Sequence, residues 1–143
     1  MDIELHEKYK NLRFPNNEIT DMYIDILEND PVFLKVFLFI AKQSQTNQYS
    51  ETGITINDLI SNIEVERLVK KNKGTRNFTY ENSRTNLHRK TAERIVDKLQ
   101  VMSLLYFKSV KPYKFFYLTI RGKQLLQRIV ELKLEKKELN NNG

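Results

Sequence analysis

LHRKTAERIVDKLQVMSLLYFKSVKPYKFFYLTIRGKQLL, residues 87–126, changes its hydrophobic period twice. In its first part Ala92, Ile95, Val96, Leu99 and Met102 recur at three- and four-residue intervals, the spacing of one helical face. Arg89, Lys90, Glu93, Arg94 and Asp97 fall on the opposite face. Next come two short runs of β-prone residues, Leu104 to Phe107 and Phe115 to Leu118. Between them, Lys108 to Lys114 reads as a turn carrying Lys108, Lys111, Pro112 and Lys114, so the pair reads as a hairpin with a cationic tip. Helical spacing then returns over Gly122 to Leu139, with Leu125, Ile129, Leu132 and Leu139 at heptad-like intervals and Leu126, Val130 and Leu134 widening the stripe.

Helix, strand, strand, helix is the outline of a winged helix. A helix with an apolar back and a donor-rich front also suits a DNA major groove, where base edges and phosphates accept hydrogen bonds from Arg and Lys. Two motifs sharpen this. Thr91, Ala92, Glu93 and Arg94 form a Thr-small-x-Arg run, and Leu118, Thr119, Gly122, Leu125 and Leu126 form Leu-Thr-x-x-Gly-x-x-Leu-Leu. On these residues the chain resembles the winged-helix transcription regulators of the broad MarR and PadR type. The resemblance implies a recognition helix over about 87–101 in the major groove and a wing over 108–114 on the phosphate backbone.

Charge follows the same layout. The net +6 is divided unevenly: residues 1–30 hold eight acids and three bases, and residues 31–69 four acids and three bases. Residues 70–94 hold eight bases and two acids, and residues 95–143 ten bases and four acids. Such clustering attracts a polyanion. The expected DNA-binding residues are therefore His88, Arg89, Lys90, Thr91, Glu93 and Arg94 on the helix, Lys108, Lys111 and Lys114 on the wing, and Arg84 and Arg76 on the approach. The expected partners are double-stranded DNA and a second copy of the chain, joined through Leu125, Ile129, Leu132 and Leu139.

The rest of the chain reads as helical support. Ile19, Met22, Tyr23, Ile26 and Leu27 predict a helix over Glu18 to Glu28. Asp30 before Pro31 is a helix start, and Val32 to about Gln43 is apolar nearly all round, the pattern of a central buried helix. Residues 1–16 show weak periodicity, Ser44 to Gly53 is a polar loop, and Ile54 to Ile56 could add a third strand to the wing. Thr55 and Asp58 have capping-box spacing ahead of Leu59, Ile60, Ile63 and, further on, Leu68, which extend a helix toward Lys71. An insertion of about twenty residues near Glu64 to Asn86 then separates this helix from the basic one. One reading lengthens the second helix to Gly74 and starts the basic helix near Ser83. Another makes a basic loop with Phe78 and Tyr80 that lies along the phosphate backbone, stacks on bases, or folds its aromatics back onto the core.

These features give a mainly α chain with a small β-hairpin, an α+β class. The divisions are an N-terminal helical extension (1–30), a winged helix-turn-helix domain with its insertion (31–121), and a C-terminal helix whose tail, Asn140 to Gly143, is too polar to order itself (122–143). With no cysteine there is neither a disulfide framework nor thiolate chemistry. His6 and His88 stand far apart without metal-ligand spacing, the four glycines form no phosphate loop, and no carboxylate pair stands out, so no metal, no cofactor and no enzymatic activity are expected. The longest apolar run, Val32 to Ala41, is far below the ~20 residues of a membrane span, and no signal pattern precedes it, so a soluble cytoplasmic protein with no membrane partner is expected. A second function fits the same sequence, that of a winged-helix protein-interaction scaffold within a transcription, replication or plasmid-partition assembly.

Overall fold

A computed structural model describes residues 1–46, 52–72, 74 and 77–142, apart from the side chains of Val69, Leu134 and residues 136–142. Helices α1 (Ile3–Tyr9), α2 (Asn17–Glu28) and α3 (Pro31–Gln43) begin on the side-chain caps Asp2, Asn16 and Asp30. Asp30 accepts from the N–H groups of both Val32 and Phe33, with Pro31 pre-set for the first turn. Helix α1, absent from the sequence reading, is too short to show a period. It is held by contacts instead: the His6 ring stacks on Tyr106 at 3.5 Å. Burial holds the His6 imidazole below the ordinary range, the chief cause of its shift.

Ile54 exchanges backbone hydrogen bonds with Phe116 at 2.9 and 2.8 Å, so the expected third strand is reduced to one bridge. Helix α4 (Ile56–Asn62) follows with a full capping box. The Thr55 hydroxyl accepts from Asp58 N–H, and the Asp58 carboxylate accepts from Thr55 N–H.

At Ile63 the chain turns extended, and the expected lengthened helix gives way to a β-hairpin, β1 (Glu64–Asn72) with β2 (Phe78–Asn86). Counted from Ile63, the positions that would continue an apolar helical face are Glu66 and Arg67, both charged, while Ile63, Val65 and Val69 share one parity, as one face of a strand does. All nine residues of β1 pair antiparallel with β2, Glu64 opposite Asn86 and Asn72 opposite Phe78. Neither an early start of the next helix near Ser83 nor a loop folded back on the core occurs; Phe78 and Tyr80 stand exposed on β2.

Helix α5 (Arg89–Val101) ends in a Schellman turn. Ser103 adopts φ +63°, its N–H donating to the Gln100 carbonyl and that of Leu104 to the Leu99 carbonyl. Strands β3 (Leu105–Val110) and β4 (Tyr113–Leu118) leave only Lys111 and Pro112 as the turn. Helix α6 (Ile120–Asn142) closes the chain and runs through the segment expected to fray. The molecule is thus α+β, with six helices and two small antiparallel hairpins among the described residues. No helix among the described residues is long and apolar enough to cross a membrane.

The three segments drawn from sequence share one core. Ile24 and Leu27 of α2, Val36, Phe37 and Ile40 of α3, Ile95 and Leu99 of α5, and Leu125 and Ile129 of α6 belong to a single cluster. An Arg128 guanidinium fork on the Asp21 carboxylate, at 2.8 and 3.2 Å, ties α6 to α2 and holds that carboxyl below its usual range. Leu125 and Ile129, expected between copies, are only 0% and 7% exposed within this one chain. Leu132 is half-buried against the same core, and the side chain of Leu139 lies outside the described ones.

Candidate nucleic-acid interface

Helix α5 is anchored by its back. Ala92, Ile95, Val96 and Leu99 are all but sealed from solvent. The front leaves Arg89, Lys90, Glu93, Arg94 and Asp97 exposed, with Thr91 half-buried on the flank. Its N-terminal turn differs from those of α1 to α4, each of which begins on a side-chain oxygen. His88 occupies the cap position with extended backbone and makes no side-chain cap bond, and the first turn has no acid. Two cations, Arg89 and Lys90, stand there instead, at the positive end of the helix dipole.

Arg89 is positioned by α4. One Nη2–H of its guanidinium donates to the Asn57 side-chain oxygen, and the residue stays exposed. Asn57 was not anticipated, because the pairing crosses between two helices whose separation the sequence does not reveal. Glu93 and Asp97, one turn apart on the front of α5, line depressions on both sides of it. The first depression is walled by Asn57 and Arg89 on one side and by Pro112, Tyr113 and Lys114 of the β3–β4 hairpin on the other. The second lies toward Ile26 and Phe33 and includes Lys90, Arg94 and Val101.

The three lysines expected at a common tip are divided between the two faces of the hairpin. Register puts Lys108 opposite Phe115, on the face of Tyr106 and Tyr117, where its Nζ lies 5.1 Å from the Tyr117 ring centre. Lys114 pairs with Ser109 on the other face, its Nζ 4.7 Å from the Phe107 ring, beside α5. Lys111 alone sits in the turn. The missed signal was the length of the strands: Lys108 and Lys114 continue the alternation and belong to them.

Arg84 lies exposed in β2, two residues short of that strand's end at Asn86, and Arg76 falls outside the described residues. The backbone closes this junction through a Leu87 N–H bond to the Ile63 carbonyl at 2.9 Å. Among the described residues no three His, Cys, Asp or Glu side chains converge as a metal site. Compared with the models of known protein families, with curated proteins and with solved structures, the chain matches none.

Proposed function

We propose that this chain binds double-stranded DNA through α5, as a winged-helix transcription regulator of the MarR and PadR type acting in the cytoplasm as a homodimer. The observation that carries the reading is the N-terminal turn of α5, exposed, without a side-chain cap, and occupied by His88, Arg89 and Lys90. Cations there oppose the dipole by ~0.3–1 kcal/mol each, and the first N–H groups lack the partner that α1 to α4 supply for themselves. A phosphate brought by a ligand would satisfy both. Around this turn, Arg94 extends the cationic front, and Lys114 lines the same depression as Arg89. Support also comes from the order α3, Ile54, α4, β1, β2, α5, β3, β4, with Ile54 bridged to Phe116: apart from the inserted β1–β2 hairpin it is the order of a winged helix whose wing is β3–β4.

A protein-interaction scaffold is the second reading. It draws on Glu93 and Asp97, which interrupt the basic front, and on Val101, 88% exposed beside an apolar depression. Selection of bound fragments from random duplex DNA, followed by salt titration, separates the two. DNA binding through α5 gives an affinity that falls with salt by about 0.9 log units per log unit of salt for each phosphate contacted. The combined variant Arg89→Ala, Arg94→Ala should remain folded and lose tenfold or more in affinity, ~1–3 kcal/mol for each bidentate base contact removed. Wild-type affinity in that folded variant, or no selected DNA at all, would refute the reading.

A further inference from the structure

The β1–β2 hairpin projects from the junction of α4 with α5. Two strands of nine residues, at ~3.4 Å each, make an arm about 30 Å long. Val65 is its one buried residue among the described side chains, and its base is fixed by the Leu87 bond to Ile63 and by Lys35, whose ammonium donates to the Glu64 carbonyl. An isolated two-stranded hairpin is marginal in water, so so long an arm calls for something to lie against.

The register separates its two faces. On one, Lys71 is neutralised by Glu81 at 3.1 Å. On the other stand Leu68, Lys70, Phe78, Tyr80 and Arg84, with two acids confined to the base, Glu64 opposite Asn86 and Glu66 opposite Arg84. Leu68, Phe78 and Tyr80 are 71%, 50% and 61% exposed. The two rings meet edge to face at 5.7 Å, and the Lys70 ammonium lies 4.1 Å from the Phe78 ring centre. Outward of these two acids the face is apolar and carries the Lys70 ammonium, so its partner is apolar in part and anionic. Residues 67–84 carry six bases and one acid, which sets two such arms against each other as like charges. Duplex DNA meets both requirements: its major groove admits a two-stranded ribbon, and its grooves place sugar and base edges between rows of phosphates.

We propose that the arm is a second DNA-contacting element, its Leu68, Lys70, Phe78, Tyr80 and Arg84 face laid against the duplex beyond the N-terminus of α5. Lys70 and Arg84 take phosphates, and Phe78 and Tyr80 pack on sugar and base edges in the groove. This rests on the DNA reading of α5. At 3.4 Å per base pair, an arm of ~30 Å lengthens the contact by up to about nine base pairs on one side of the α5 site.

The test uses DNA selected by the full chain, with hydroxyl-radical footprinting, salt titration and sedimentation of three variants. In the first, residues 68–82 are replaced by an Asn-Gly turn joining the register partners Arg67 and Ser83. The second is Lys70→Gln with Arg84→Gln. The third, on the opposite face, is Lys71→Gln with Glu81→Gln. The excised protein should still bind but lose protection on one side only. The second variant should lower the salt slope by about 1.8, two phosphates at about 0.9 each, and the third should leave it unchanged. Because the second variant alters exposed side chains alone, it decides the matter even where excision prevents folding. An unchanged footprint and slope in the first two variants overturns the proposal. So does an arm whose removal converts a dimer to a monomer with the protection per subunit intact, which would assign the arm to a second copy. If the full chain protects no DNA, the reading of α5 fails and this proposal with it; if it protects DNA equally without the arm, this proposal alone fails.

Discussion

Gly122 sits where β4 turns into α6, and a Cβ built on it would lie 2.5 Å from Leu118 Cδ1 and 2.7 Å from the Leu104 carbonyl oxygen. The same corner explains Thr119. Its hydroxyl donates toward the Ser103 and Leu104 carbonyls at 2.8 and 3.1 Å and accepts from Gly122 N–H at 3.2 Å, so one side chain caps α6 and pins it to the end of α5. Arg121, 4% exposed, completes the corner: Nε–H donates to the Ser103 carbonyl and hydroxyl oxygens, and Nη1–H to the Tyr9 and Leu12 carbonyls. The Leu-Thr-x-x-Gly run is thus a packing device, and Arg121 within it binds the N-terminal segment. Gly122→Ala should gain ~1 kcal/mol of helix propensity and lose ~2–3 to overpacking against an immobile carbonyl. The expected net loss of about 1–2 kcal/mol is read from the urea midpoint. An unchanged or raised midpoint would mean that the corner is looser than these distances.

Elements were legible where one period dominated a long enough window. The faces of α2 and α5 could be read from apolar spacing, the burial of α3 from its apolar content all round, and the caps Asp30 and Thr55 from residue type, because these signals are local. Between Ile63 and Leu87 two periods compete: Leu59, Ile60 and Ile63 run on as a helix, while Val65 and Val69 already alternate as a strand. Tertiary pairing with β2 decides for the strand, and that pairing is not written within either segment. The β3–β4 hairpin shows a milder case. Its existence was readable and its length was not, so three lysines expected at one tip lie on two faces and a turn. An element-level prediction follows from this division. Lys114→Gln, on the face beside α5, should weaken binding to all DNA sequences by a similar factor and lower the salt slope by about 0.9. Lys108→Gln, beside Tyr117 on the far face, should change neither. Equal effects of the two substitutions would show that DNA does not approach from the α5 side.

At the scale of the molecule, the question is how much of α6 is left for a partner. The apolar stripe of α6 reads identically whether it faces its own domain or a twin, since spacing reports a buried face and not what buries it. Leu125, Leu126 and Ile129 are enclosed by the chain's own core, which removes the N-terminal half of the expected interface. Yet α6 has 23 residues and α2 has 12, about 35 Å against 18 Å, so the outer part of α6 extends beyond the helix it packs on. Val130, 47% exposed, and half-buried Leu132 stand where the core ends. The proposed homodimer would therefore draw on Val130. Ile129→Glu should unfold the chain by forcing a charge into the core, whereas Val130→Glu should keep the fold and weaken self-association. Both are checked by circular dichroism and sedimentation at about 20–50 μM, well above a micromolar dissociation constant. A dimer formed this way places two copies of α5 on one face of a duplex, and selected sites should then contain two half-sites about 10 base pairs apart. A wild-type monomer bound one to one on a single half-site would remove the dimer while leaving the contacts of α5 untouched.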